Sequence, residues 1–142
     1  MKIIEPNVIE VKDFEGVDNF YKATARAARI CYASDKTGND KELCERLIKL
    51  GHFSPFEHSI IYIDGNMINN CDNMMLKELF NICENHCYTI VHHYVTGEYI
   101  VEINGRILLE AISKISDFYE MGYLNEALEK VLSVIIPFEI TT

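Results

Sequence analysis

A chain of 142 residues with 49% hydrophobic residues is too apolar to be disordered and long enough for a core, so we expect one domain over residues 1–142. Its 22 acidic and 13 basic side chains give a net charge of −9, which argues against nucleic acid as a partner because such binding needs a basic surface. No apolar run approaches the roughly 20 residues that span a bilayer, and the first residues do not form a signal peptide. We therefore expect a cytoplasmic protein that does not bind a membrane and whose five cysteines are reduced.

The first third of the chain predicts one strand and two helices. Residues 2–13 alternate loosely between apolar and polar side chains and predict an edge or meander strand. Apolar residues recur at helical spacing over residues 16–33 and again over residues 39–50. Gly51 follows the second of these helices, where glycine readily adopts the left-handed conformation of a helix C-terminus.

Residues 51–58 form a predicted corner on which the functional interpretation depends. The Ser-Pro-x-Glu tetrapeptide within it supplies the N-cap, the first helical residue and the third-position glutamate of a capping box. A purely structural corner is one interpretation. The other rests on His52 and His58, which flank Glu57 and can face a common cleft.

The rest of the chain predicts three strands and three helices. The strands are expected at residues 59–63, 88–94 and 98–103. The last two strands flank Thr96 and Gly97 and predict a hairpin, and Asp64, Gly65 and Asn66 are expected to end the first. The helices are expected after residues 69–72, from Asn104 onwards, and from Leu124 to a stop at Pro137. This order predicts an α+β fold with a small antiparallel sheet flanked by helices.

Three residues suggest a metal site as an alternative. Cys83, His86 and Cys87 have the i, i+3 and i+4 spacing that would share a helix face, and thiolates with imidazoles bind zinc. His92 and His93 follow, but consecutive strand residues point to opposite faces. The spacing matches no common zinc finger, and Cys83 belongs to an apolar stripe. We therefore predict no metal site.

Two segments resemble the flavin-dependent thymidylate synthases (ThyX). Residues 26–32, R-A-A-R-I-C-Y, match that family's A-R-x-[SC]-[YF], and residues 47–58, L-I-K-L-G-H-F-S-P-F-E-H, match its L-I-x-x-G-H-x-[ST]-x-x-E-H. Residues 99–109 are similar, more loosely, to its T-[GV]-N-x-R-x-L segment. The resemblance implies a ThyX-like twisted sheet flanked by helices, a homotetramer, and FAD shared between subunits.

The resemblance also implies which residues would contact the cofactor. His52 would lie beside the flavin, and Cys31 would replace a flavin-contacting serine. Glu57 and His58 would shape the same corner, and Asn104 would approach the isoalloxazine ring.

The reaction that the resemblance implies is methylation of dUMP to dTMP. In this reaction methylenetetrahydrofolate supplies the carbon and NADPH reduces the flavin. Arg106 would be the catalytic residue that polarises the uracil ring.

The chain departs from the family at the segment R-H-R-x-x-S-x-N-E-x-S-x-R-Y. Where this segment would lie, residues 66–96 contain no arginine and no serine, and Lys77 is their one lysine. An anionic ligand in a protein of charge −9 needs compensating cations.

We therefore expect a diverged relative with weak or no synthase activity. The alternative is a non-catalytic binding or assembly protein of the same fold. In either case we expect a homo-oligomer, because the alanine-rich and cysteine-bearing helix faces give the protein more apolar surface than one small core needs.

Overall fold

The computed structural model of the chain describes residues 17–32, 38–115 and 124–135. The strand predicted at residues 2–13 and the stop predicted at Pro137 lie outside these ranges. Within them, no helix combines the length and the apolar character needed to cross a membrane.

Six α-helices, a 3-10 helix and three strands make up the described part of the chain. The α-helices are α1 (Val17–Tyr32), α2 (Asp40–Lys49), α3 (Gly65–Asn69), α4 (Met74–Glu84), α5 (Gly105–Ser113) and α6 (Leu124–Ile135). The strands are β1 (Ile60–Asp64), β2 (Ile90–His93) and β3 (Tyr99–Asn104). The 3-10 helix, Ser54–His58, lies between α2 and β1.

The three strands form one antiparallel sheet in the order β1-β3-β2. The predicted β2–β3 hairpin is confirmed, with Gly97 at its turn in the left-handed region at φ 87°. The α+β architecture predicted from the order of the elements is therefore confirmed at this level.

One face of the sheet packs on the helices and forms the core. Ile61 and Ile63 of β1 lie opposite Ile103 and Val101 of β3, and all four side chains are buried. Buried side chains of α1, α2, α4, α5 and α6 belong to the same apolar cluster. The helical periodicity that predicted α1, α2, α4 and α5 therefore marks core-facing positions.

The opposite face of the sheet is more exposed. Tyr62 and Ile90, on the two edge strands, are 49% and 50% exposed. Glu102 lies between them on β3, and one of its carboxylate oxygens is 3.0 Å from Nε2 of His92 on β2. This face therefore combines apolar side chains with one histidine–carboxylate pair.

The start and end of α2 agree with the predictions, but the capping box after it is wrong. Asn39 caps α2, since its side chain accepts from the backbone N–H groups of Lys41 and Glu42. Gly51 has φ 74° and lies just beyond the helix end. The next turn is a 3-10 helix whose N-cap is Phe53, with no side-chain hydrogen bond at the cap. The chain enters β1 two residues after this turn ends, which leaves too few residues for an α-helix with a capping box.

Two further boundaries differ from the predictions. Asp64, Gly65 and Asn66 do not simply end a strand, because Asp64 Oδ1 accepts from Asn66 N at 2.9 Å and starts helix α3. Helix α4 is capped by Asn73 and ends at Glu84. His86 therefore lies after α4 and does not continue the helix face of the residues before it.

The strand-to-helix junctions after β1 and after β3 share one design. Asp64 and Asn104 each end a strand and cap the helix that follows. Each is followed by a buried glycine with no room for a β-carbon. At Gly65 that atom would lie 2.5 Å from the Tyr99 ring, and at Gly105 it would lie 2.9 Å from the Phe20 ring. Because β1 and β3 run antiparallel, the two junctions lie at opposite ends of the strand pair.

Candidate functional site

A polar cleft of about 540 Å³ lies beside the start of α5, and we call it the α5 cleft. The 3-10 helix, the loop between α4 and β2, and the first turns of α5 contribute its walls. The lining residues are Glu57, His86, Tyr88, Asn104, Arg106, Ile107 and Glu110.

The start of α5 is held firmly in place by backbone contacts. Asn104 Oδ1 accepts from Ile107 N at 2.9 Å, and Gly105 N donates to the carbonyl oxygen of Ser59 at 2.8 Å. A β-carbon on Gly105 would also lie 2.9 Å from the carbonyl oxygen of Phe56. This close approach sets the start of α5 directly against the 3-10 helix, so the two segments form adjoining walls of the α5 cleft.

Arg106 joins the two walls through a pair of carboxylates. Its Nη1 donates to Glu57 Oε1 at 2.6 Å, and its Nε donates to Glu110 Oε1 at 3.1 Å. The hydrogen bond to Glu57, followed by that to Glu110, raises the pKa of the Arg106 guanidinium above its ordinary value. All three side chains are more than one-third exposed, so each pair contributes only about 0–1 kcal/mol to stability. The network therefore orients Arg106 more than it stabilises the fold.

His86 extends this network, and its geometry fixes its tautomer. Its Nδ1 accepts a hydrogen bond from the backbone N–H of Tyr88 at 3.1 Å, which requires a lone pair on that nitrogen. The ring proton of the neutral imidazole therefore lies on Nε2, which is 3.5 Å from Glu110 Oε2. Since the backbone N–H of Tyr88 occupies the lone pair of Nδ1, the nitrogen that faces Glu110 carries the proton, and His86 is not placed to act as a general base.

Tyr88 provides an aromatic surface at the edge of the α5 cleft. Its side chain is 78% exposed, and its ring lies 5.7 Å from the His86 ring, measured between centroids. An exposed aromatic face of this kind can stack on a planar ligand ring.

The structure brings together three of the predicted site residues. Glu57, Asn104 and Arg106 all line the α5 cleft. His52 and His58 are exposed and are not among its lining residues. The side chain of Cys31 lies outside the described part of the chain.

Sequence reasoning missed four lining residues, which are His86, Tyr88, Ile107 and Glu110. Glu110 could have been found from its spacing, since it lies one helical turn after Arg106 and shares its face. The sequence suggested His86 as a zinc ligand and Tyr88 as part of a strand. A loop with no regular spacing brings both to the α5 cleft.

The described lining residues carry more negative than positive charge. Glu57 and Glu110 contribute two carboxylates, Arg106 contributes one guanidinium, and His86 in its neutral form contributes no charge. The net charge is therefore one negative unit. Of the N–H groups at the start of α5, those of Gly105 and Ile107 already donate to protein acceptors, which reduces the capacity of this helix start to bind an anion.

FAD fits these residues only in part. Its planar ring matches the exposed Tyr88 ring and the polar groups of Asn104 and Arg106. Its two phosphates do not match, because the one guanidinium of the described lining is already paired with two carboxylates. The α5 cleft therefore suits an uncharged ring better than a diphosphate.

The described residues contain no group of three or more metal-binding side chains close enough to hold an ion. Cys83 is part of the core, and burial raises the pKa of its thiol to about 12.

Comparison of the chain with models of protein families, with curated proteins and with solved structures found no match.

Proposed function

We propose that this chain is a diverged relative of the flavin-dependent thymidylate synthases that binds a pyrimidine or flavin ring in the α5 cleft and has weak or no synthase activity. The hydrogen bond between Arg106 and Glu57 is the observation that carries the proposal. These residues lie 49 positions apart and belong to the two segments whose motifs resemble that family. Their convergence on one cleft is what a shared binding site requires.

The chemistry of the α5 cleft supports a ring as the ligand. Arg106 offers guanidinium donors, and Glu57 and Glu110 offer carboxylate acceptors beside them. Tyr88 adds an exposed aromatic face. Small-molecule sites combine such a surface with a few fixed polar groups that orient the ligand.

We expect weak or absent synthase activity because the α5 cleft has few cationic groups that could hold the two reactants in position. Holding two reactants in the correct geometry can contribute about 7–11 kcal/mol of barrier lowering. Arg106 is the one guanidinium that the described lining offers, and it is engaged by two carboxylates. Lys77 on α4 is exposed, and a lysine lacks the bidentate geometry of the missing arginines.

The binding part of this proposal is tested by titrating the purified chain with deoxyuridine, dUMP and riboflavin in a calorimeter. We expect saturable binding of at least one of them, and its loss in Arg106→Ala. Arg46→Ala is the matched control, because Arg46 is an exposed arginine on α2 and does not line the α5 cleft. The proposal is wrong if none of the three ligands binds, or if both variants bind as tightly as the parent chain.

The catalytic part is tested by tritium release from labelled dUMP in the presence of FAD, NADPH and methylenetetrahydrofolate. We expect no turnover above the background without protein. Turnover that disappears in both Arg106→Ala and His52→Ala would show instead that the chain is an active synthase.

The alternative function is a non-catalytic assembly protein of the same fold. The exposed sheet face with Tyr62 and Ile90 favours it, because apolar patches of this kind mark contacts between proteins. A chain that forms a homo-oligomer but binds no ring would support this alternative.

A further inference from the structure

We infer that His86 is a pH-sensitive positioning residue, whose neutral form holds Tyr88 at the edge of the α5 cleft and whose protonated form releases Tyr88 and pairs with Glu110. The inference goes beyond the proposed function, because it concerns the shape of the cleft wall and not the ligand.

The loop between α4 and β2, residues 85–89, is anchored at both ends by hydrogen bonds that do not titrate. His86 N donates to the carbonyl oxygen of Cys83 at 3.3 Å, and Thr89 N donates to that of His86 at 3.1 Å. Thr89 Oγ1 also donates to the Cys83 carbonyl oxygen, at 2.5 Å. These contacts use backbone and hydroxyl groups only, so we expect them to persist at any moderate pH. A conformational change driven by pH would therefore be confined to the residues between the anchors, Cys87 and Tyr88.

Tyr88 depends on the neutral form of His86 for its position between these anchors. Its side chain is 78% exposed, so packing restrains it little, and its backbone N–H donates to His86 Nδ1 at 3.1 Å. A protonated imidazole donates from both ring nitrogens and has no lone pair to offer. Protonation of His86 would place two donors opposite each other, and the hydrogen bond from Tyr88 must then break.

Glu110 offers the protonated ring a partner in return. His86 Nε2 lies 3.5 Å from Glu110 Oε2, and the His86 side chain is only 20% exposed. Arg106 uses the other oxygen of the same carboxylate, Oε1, so its own hydrogen bond does not have to open. Protonation thus exchanges a hydrogen bond to Tyr88 for a charge-assisted one to Glu110, and bonds of the second kind are the stronger.

The groups that surround His86 leave its own ring as the source of a change near neutral pH. These titratable groups are Glu84 at the end of α4, Cys87 and Tyr88 in the same loop, Arg106 and Glu110 on α5, and Glu57 on the 3-10 helix. Imidazole is the only side-chain type whose ordinary titration falls between about pH 5 and pH 8. A response of Tyr88 in this range is therefore assigned to His86.

The test is a nuclear magnetic resonance titration of the full chain, labelled with nitrogen-15, from about pH 8 to about pH 5. At the upper limit, the ring-nitrogen spectrum of His86 should show its proton on Nε2. As the pH falls, the amide signal of Tyr88 should move with the same midpoint as the His86 ring. The protection of that amide against hydrogen exchange, relative to the intrinsic rate at each pH, should fall by roughly two- to tenfold, the equivalent of one hydrogen bond.

Two variants separate the hydrogen bond from the titration. His86→Asn keeps an acceptor for the N–H two residues later, as Asn39 and Asn73 already provide at the starts of α2 and α4, but cannot be protonated. Tyr88 should therefore stay protected at low pH in this variant. His86→Ala removes the acceptor, so protection should be low at every pH.

His93→Asn is the matched control, because His93 is exposed on β2 and does not line the α5 cleft. Tyr88 should respond to pH in this variant as it does in the parent chain. Circular dichroism would establish that each variant is folded, and if neither His86 variant folds, the titration of the parent chain decides alone.

Three results would overturn the inference. The first is a His86 ring that carries its proton on Nδ1 at the upper pH limit, or that gains no second proton by the lower one. The second is a Tyr88 amide that does not respond while His86 titrates, and the third is a response that persists in His86→Asn. None of these measurements uses a ligand, so each of these results leaves the proposed ring-binding function standing.

Discussion

At the scale of single residues, Ser59 connects helix α1 to the entry of β1 through one hydroxyl group. Its Oγ donates to the carbonyl oxygen of Phe20 at 2.6 Å and lies 2.5 Å from Thr24 Oγ1. Since the Ser59 proton points to Phe20, Thr24 must donate the second hydrogen bond. Both hydroxyl-bearing residues are buried, so α1 is tied to the entry of β1 inside the core.

Removing this hydroxyl should cost measurable stability. In Ser59→Ala, the Phe20 carbonyl and the Thr24 hydroxyl both lose their partner in the core, and we expect unfolding to become easier by about 1–3 kcal/mol. The measurement is urea unfolding followed by circular dichroism. Ser133→Ala is the control, since Ser133 is exposed on α6 and bonds within its own helix. Equal midpoints for the two variants would contradict the prediction.

At the scale of elements, the start of α5 depends on the close approach of Gly105 to its surroundings. An added β-carbon would meet the backbone oxygen of Phe56 and the buried ring of Phe20. At Gly65 the equivalent atom would meet the ring of Tyr99, which is only partly buried and can move aside.

We therefore expect the same substitution to have different effects at the two glycines. Gly105→Ala should destabilise the protein by about 1–3 kcal/mol, as overpacking of a core does. Gly65→Ala should cost less, because a side chain yields more easily than backbone. Thermal unfolding of both variants and of the parent chain provides the comparison, and a larger loss in Gly65→Ala would contradict the explanation.

Regular elements could be predicted from the sequence because their spacing repeats. The stripe of α1, the helix predicted over residues 39–50 and the hairpin at Gly97 follow from local rules that the structure obeys. The Ser54 capping box failed because the chain turns into β1 too soon, which a four-residue pattern cannot show. The site was found only in part, since the contact of His86 with Glu110 depends on where a loop and a distant helix meet.

At the scale of the whole molecule, the exposed sheet face bears on the oligomeric state. Ile90 is half exposed on edge strand β2, beside the pair formed by His92 and Glu102. Apolar residues on an open sheet face are a common basis for contacts between identical chains.

We expect a homo-oligomer in solution whose contact involves this face. Light scattering at micromolar concentration should give a multiple of the chain mass of 16.4 kDa, and Ile90→Glu should reduce it to the mass of one chain. Val134→Glu is the matched control, because Val134 is similarly exposed but lies on α6. A mass of 16.4 kDa for the parent chain would rule out the oligomer.

The paired junctions at Asp64-Gly65 and Asn104-Gly105 have a consequence for protein design. In the antiparallel pair of β1 and β3, Tyr62 lies opposite Glu102 at the centre. A two-fold rotation about this centre relates residues 60–64 of β1 to residues 100–104 of β3. Position 66 is therefore the counterpart of position 106, and it carries an asparagine where the α5 cleft has its arginine. A strand that ends in a capping residue followed by a buried glycine thus occurs twice in one small protein, once with a charged network built on it and once without. A designer can graft side chains from the first copy onto the second and learn which properties of the cleft belong to the junction and which to the residues it carries.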